Sequence, residues 1–102
     1  MKNLDKYLEA IKADYAAWLG ADTEIRQQMI REFNESLHVV DGNKYLKVVK
    51  DGSVHSFICK RDMGKFTAGD VLKAASWAAP ARNFARANLF QGDFSKISWT
   101  GA

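Results

Sequence analysis

Three observations predict an α+β fold: an N-terminal helical hairpin packed on a small antiparallel sheet, with a short C-terminal helix and strand. Apolar residues recur at three- and four-residue spacings from Leu4 to Leu37. Two alternating runs then flank Asp51-Gly52, a strong hairpin signal because a type I′ turn needs positive φ at both central residues. Finally, the single proline, Pro80, precedes a stretch with a helical apolar stripe, and proline suits a first helical position, where its missing N–H costs nothing.

The first helix carries Leu4, Tyr7, Leu8, Ile11, Tyr15, Trp18 and Leu19 on one stripe. Asn3 is placed to cap its start and Gly20 to end it in a left-handed conformation. Asp22 or Thr23 caps the second helix, whose stripe is Ile25, Met29, Ile30, Phe33 and Leu37. So short a connection makes the two helices an antiparallel pair. Their aromatic stripe reads as core, so this half is scaffold.

The predicted hairpin joins Lys44–Lys50 to Ser53–Arg61. A two-residue loop sets Val49 opposite Val54, Lys47 opposite Ser56 and Tyr45 opposite Ile58 on one face. On the other face Val48 meets His55 and Leu46 meets Phe57. Both faces bear apolar pairs, so one packs on the helices and the other lies under the C-terminal segment. Gly69-Asp70 marks a turn and Val71-Leu72 a short strand running towards Trp77. After Pro80, Ala81, Phe84, Ala85 and Leu89 form the helical stripe, and Ile97-Ser98-Trp99 alternates like a last strand.

A chain of 102 residues with 47% apolar content and no repeats or linkers predicts a single domain, residues 1–102. No stretch has the roughly 18 apolar residues that would cross a bilayer, so no membrane role is expected. The opening residues lack the apolar run of a secretory signal, and Cys59 stands alone, so a reducing cytoplasm is the expected compartment.

Charge is divided unevenly. Residues 1–42 hold five basic and eight acidic side chains, a net −3, whereas residues 43–102 hold ten basic and four acidic, a net +6. The total of +3 therefore conceals an acidic helical part and a basic part carrying a sheet and a short helix, an asymmetry that speaks about partners.

No catalytic constellation is legible. His55 and Cys59 lie four apart on one strand, about 13 Å at ~3.3 Å per residue, too far for a nucleophile and its base. His38 ends a helix, where it interacts with the terminal carbonyls. Two histidines and one cysteine without ligand spacing predict no metal site. Neither a phosphate-binding glycine loop nor a nucleophile elbow occurs. The expectation is a protein that is not an enzyme and uses no cofactor.

What remains is a basic surface with aromatics among it: Lys60, Arg61, Lys65, Lys73, Trp77, Arg82, Asn83 and Arg86. Arginine and tryptophan are enriched at interface hot spots, and such a patch suits an acidic protein partner. The alternative is sequence-independent nucleic-acid binding, with the cations on phosphates and Trp77 stacked on a base. Pairing of the two unlike halves between copies makes a homodimer a third expectation.

The run from Lys65-Phe66-Thr67-Ala68-Gly69-Asp70 through Trp77-Ala78-Ala79-Pro80-Ala81-Arg82-Asn83-Phe84-Ala85-Arg86 to Phe90 resembles a segment of small accessory proteins of tailed bacteriophages. It covers about a quarter of the chain, and Ala87 stands where such segments carry glycine. The resemblance implies a phage-encoded accessory protein in the host bacterial cytoplasm and transfers no functional residue; the basic second half is the part expected to engage a host or phage protein.

Overall fold

A computed structural model describes all 102 residues, as two helices and a five-stranded antiparallel sheet. Helix α1 spans Leu4–Leu19 and buries Tyr7, Ile11 and Tyr15, the centre of its predicted stripe. Asn3 does not cap it. Its backbone is left-handed, and its amide Nδ2 instead donates to the Leu89 carbonyl at 2.7 Å, tying the helix start to the far end of the chain. Gly20 closes the helix, its N–H donating to the Ala16 carbonyl.

Helix α2 spans Glu24–Ser36, and Thr23 is its cap: Oγ1 accepts the Arg26 N–H at 3.1 Å. None of its residues is buried. Burial begins only at Leu37, so the helix docks by its last turns and leaves its first ones over solvent.

The sheet follows chain order, β1-β2-β3-β4-β5. Its strands are β1 (His38–Asp41), β2 (Tyr45–Lys50), β3 (Ser53–Cys59), β4 (Asp70–Lys73) and β5 (Ala87–Asn88). Asp51 and Gly52 join β2 to β3 with φ of 45° and 77°, the positive pair that a type I′ turn requires. Val49 pairs with Val54 as expected, but Val48 pairs with Ser56. His55 is therefore an extra residue, a β-bulge that leaves it without a partner across the ladder. Every later expected pair is displaced by one: Lys47 faces Phe57, Leu46 faces Ile58 and Tyr45 faces Cys59.

The helices cover one face of the sheet, where Tyr7, Ile11, Leu37, Val48, Ile58, Val71, Leu89 and Ile97 form the main core. On the other face Phe57, Cys59, Phe66 and Leu72 form a second core, closed in part by Met63, Ala74 and Ala85.

The predicted C-terminal helix does not form. The N–H groups of Ala81, Arg86 and Leu89 donate to the carbonyls of Lys73, Val71 and Gly69 at 2.7, 2.7 and 2.9 Å. A helix would have consumed those donors internally. The exposed edge of β4 claims them first, so residues 74–86 run as a strap across the second core and residues 87–88 become β5. Tertiary hydrogen bonding here overrides a helical apolar spacing. Ile97-Ser98-Trp99 is likewise a turn and not a strand, closed by a bridge between Ser98 and Gly101. The C-terminal strand of this fold is β5. His38 also has a second role: its Nδ1 lies 3.0 Å from the Ser36 carbonyl at the end of α2, while its backbone opens β1.

Candidate functional site

A serine beside a histidine is the nearest approach to catalytic geometry. His55 Nδ1 lies 2.9 Å from Ser56 Oγ, and Ser56 Oγ lies 2.7 Å from the Tyr7 hydroxyl. The bulge creates this pair by turning both side chains towards α1, away from Cys59 on the opposite face. Both residues are buried, however, and His55 Nε2 is already occupied by the Ser98 carbonyl at 2.7 Å. Ser56 is 0% exposed, closed off from solvent. Burial pushes the Tyr7 phenol well above its ordinary range, holding it neutral.

Cys59 is buried in the second core, and burial pushes its thiol up to about 11. Asp70 adds to the rise and Arg82 opposes it. A thiol so far from its thiolate is a poor nucleophile. No group of three or more His, Cys, Asp or Glu side chains converges as metal ligands would.

The basic surface is organised by the strap. Trp77 sits in the loop from Ala74 to Pro80, whose ends are bridged to each other, and is 55% exposed. The ammonium of Lys47 on β2 lies 4.4 Å from its ring centroid. Phe84 is 57% exposed, with the Arg86 guanidinium 4.0 Å from its ring. Asn83 Oδ1 accepts the Phe84 N–H at 2.8 Å, while the Asn83 carbonyl accepts a hydrogen bond from Lys65 Nζ. The strap therefore brings Lys65, Asn83 and Arg86 to one end around Phe84, and Trp77 with Lys47 to the other. Arg61, Lys73 and Arg82 are exposed without an ion pair. Lys60 differs, because its ammonium is held by Asp41 Oδ1 at 2.6 Å and the Gly42 carbonyl at 2.9 Å. Sequence reasoning missed Lys47, whose role depends on a loop thirty residues later folding back over β2.

A second surface was read as core and is not. Trp18 is 65% exposed and Ile25 75%, with Met29 also exposed. Tyr15 stacks on Phe33 at 4.2 Å, and Trp18 leans on Trp99 at 4.8 Å. Tyr15, Trp18, Met29, Phe33 and Trp99 line, with Lys50 and Asp51, a cleft of approximately 370 Å³ between the helices and the β2–β3 turn. Lys50 is committed within it: Nζ donates to the Trp99 carbonyl at 3.0 Å and lies 4.9 Å from that ring, and burial lowers its pKa. The signal was present in α2, eight of whose thirteen residues are charged or carry an amide. That leaves an apolar stripe too narrow to be sealed along its whole length.

Residues 2–102 match a single family over this whole arrangement of helices, sheet and strap. The chain belongs to DUF7717, a family of unknown function. No curated protein and no solved structure matches it. Two surfaces of this DUF7717 protein combine exposed aromatic rings with charge: the basic strap on one face of the sheet, and the aromatic cleft beside the helices on the other.

Proposed function

We propose that this DUF7717 protein is a non-catalytic binding protein whose basic strap engages an acidic surface of a partner protein. The observation that carries the reading is the pair of exposed rings, Trp77 and Phe84, each bearing a cation, Lys47 at 4.4 Å and Arg86 at 4.0 Å. Exposed tryptophan beside arginine is the composition of an interface hot spot. The seated cations hold the rings in place before binding, which lowers the entropy lost on association. Unpaired Arg61, Lys73 and Arg82 add the positive field that steers an acidic partner.

We propose a host or phage protein as the partner, met in the bacterial cytoplasm. Nucleic-acid binding is the second reading, favoured by the same cations around Trp77. One face of each exposed ring is occupied by a cation, which leaves less of it for stacking on bases.

Affinity capture from bacterial lysate, with and without nuclease, tests the reading against the triple variant Arg61→Glu, Trp77→Ala, Arg82→Glu. The expected result is a protein captured by the parent in both arms and lost with the variant. Capture that disappears with nuclease supports the nucleic-acid reading, and equal capture by the variant overturns both.

A further inference from the structure

We infer that the aromatic cleft receives the basic strap of a second copy of this chain, so that copies associate head to tail. This rests on the reading of the strap as a protein-binding surface and names its partner as another molecule of the same protein.

The charge division is not neutralised inside one molecule. Three ion pairs form, and only Lys60–Asp41 joins the acidic part to the basic part. The cleft and its continuation along α2 bear the Asp51 and Glu32 carboxylates, neither in an ion pair. Lys50, the cation of the cleft, is turned inward onto Trp99. The strap offers the complement: exposed Trp77 and Phe84, with Lys47 and Arg82 carrying charge that no carboxylate answers.

Within one chain the two surfaces flank the β2–β3 turn, with Ser53 bordering both. The strap is nevertheless tied to β4 through the Ala81 and Arg86 N–H groups and packed on the second core, so it does not enter its own cleft. The cleft is left for the strap of another copy. At approximately 370 Å³ the cleft lies in the range that takes small ligands, and it admits an indole. A head-to-tail contact leaves one strap and one cleft free at its ends, so it propagates into rings or filaments, whereas a reciprocal pair with each strap in the other's cleft would stop at the dimer.

Sedimentation equilibrium of the full chain tests this. At about 0.1 M ionic strength the average mass rises with concentration beyond the dimer, and association weakens at least about tenfold near 1 M, where screening is nearly complete. A cleft variant, Met29→Lys with Glu32→Lys, and a strap variant, Trp77→Glu with Arg82→Glu, are each monomeric alone. All four positions are exposed, and circular dichroism of each variant matches the parent. Mixed together the two variants form a one-to-one heterodimer and nothing larger, because each keeps one competent surface.

Three results overturn the inference: a parent that stays monomeric up to about 1 mM, a mixture that stays monomeric, or a variant that assembles alone like the parent. A monomeric parent whose strap variant still loses capture from lysate overturns self-association only. Undiminished capture by the strap variant removes the reading of the strap as well.

Discussion

His55 donates from Nε2 to the carbonyl of Ser98 at 2.7 Å, a partly buried bond spanning 43 positions of sequence. A carbonyl can only accept, so Nε2 carries a proton, and in the neutral ring that burial favours Nδ1 accepts from Ser56 Oγ. Ser56, having donated, accepts from Tyr7. The chain of bonds thus has one direction throughout, and it requires a neutral imidazole. It fastens the C-terminal turn to the sheet and the sheet to α1.

Stability should therefore fall in mild acid. Burial, reinforced by the nearby Lys50 charge and opposed by the Ser98 bond, lowers the His55 pKa below its ordinary value. Below about pH 6.5 the unfolded chain binds a proton at this position that the folded chain resists. The stabilisation is complete above that pH and is lost progressively as pH falls towards the folded value. Urea midpoints measured from pH 8 down to pH 5 should decline, and His55→Gln should flatten the part of the decline due to this ring.

Tyr7→Phe removes one donor from the same network and should cost about 1–2 kcal/mol. Combined with Ser56→Ala, its cost should be less than additive, because both substitutions break one bond. A double-mutant cycle by urea denaturation measures the coupling. Additive costs would show the two side chains to be independent.

Gly52→Ala and Gly69→Ala should differ in severity. Both positions have positive φ, 77° and 87°, which costs an L-residue about 1–2 kcal/mol. At Gly52 an added methyl meets open space, whereas at Gly69 it would lie 2.8 Å from two carbons of the Phe90 ring. The second substitution should cost more, by what it takes to turn the half-exposed Phe90 ring aside. Thermal unfolding of the two variants gives the comparison directly.

Cys59 should resist alkylation in the native state. Its thiol is buried and pushed up to about 11, so iodoacetamide at pH 8 should modify it at the rate at which the second core opens. Labelling should become fast in urea. Fast labelling without denaturant would show that the strap leaves that core readily.

Where local rules and tertiary demands agreed, the sequence was a sufficient guide. Thr23 caps α2, Tyr7, Ile11 and Tyr15 are the buried positions of α1, and Asp51-Gly52 turns the hairpin. Three features depended on partners distant in sequence. The bulge at His55 is stabilised by Tyr7 and Ser98, so no pattern within the hairpin betrays it, and the expected register slipped by one. Pro80 to Leu89 has helical spacing, but the open edge of β4 takes its donors. Strand β1 follows α2 without a turn signal and pairs along β2, with Val39 opposite Val48. The candidate surface shows the same division. Its cations were legible from charge alone, but Lys47 joins Trp77 only through the path of the strap.

The placing of α1 has a consequence for synthesis on the ribosome. Strands β1 to β5 pair in the order in which they emerge, so the meander can assemble as it is made. The first helix cannot finish with it. Asn3 needs the carbonyl of Leu89, and the Asp14 carboxylate accepts the Trp99 N–H at 2.8 Å. The residues of α1 must therefore wait, with Tyr7 and Ile11 unsealed, until residue 99 has cleared the exit tunnel. Closure of the core is a late, concerted event, and the segment after β5 is its latch.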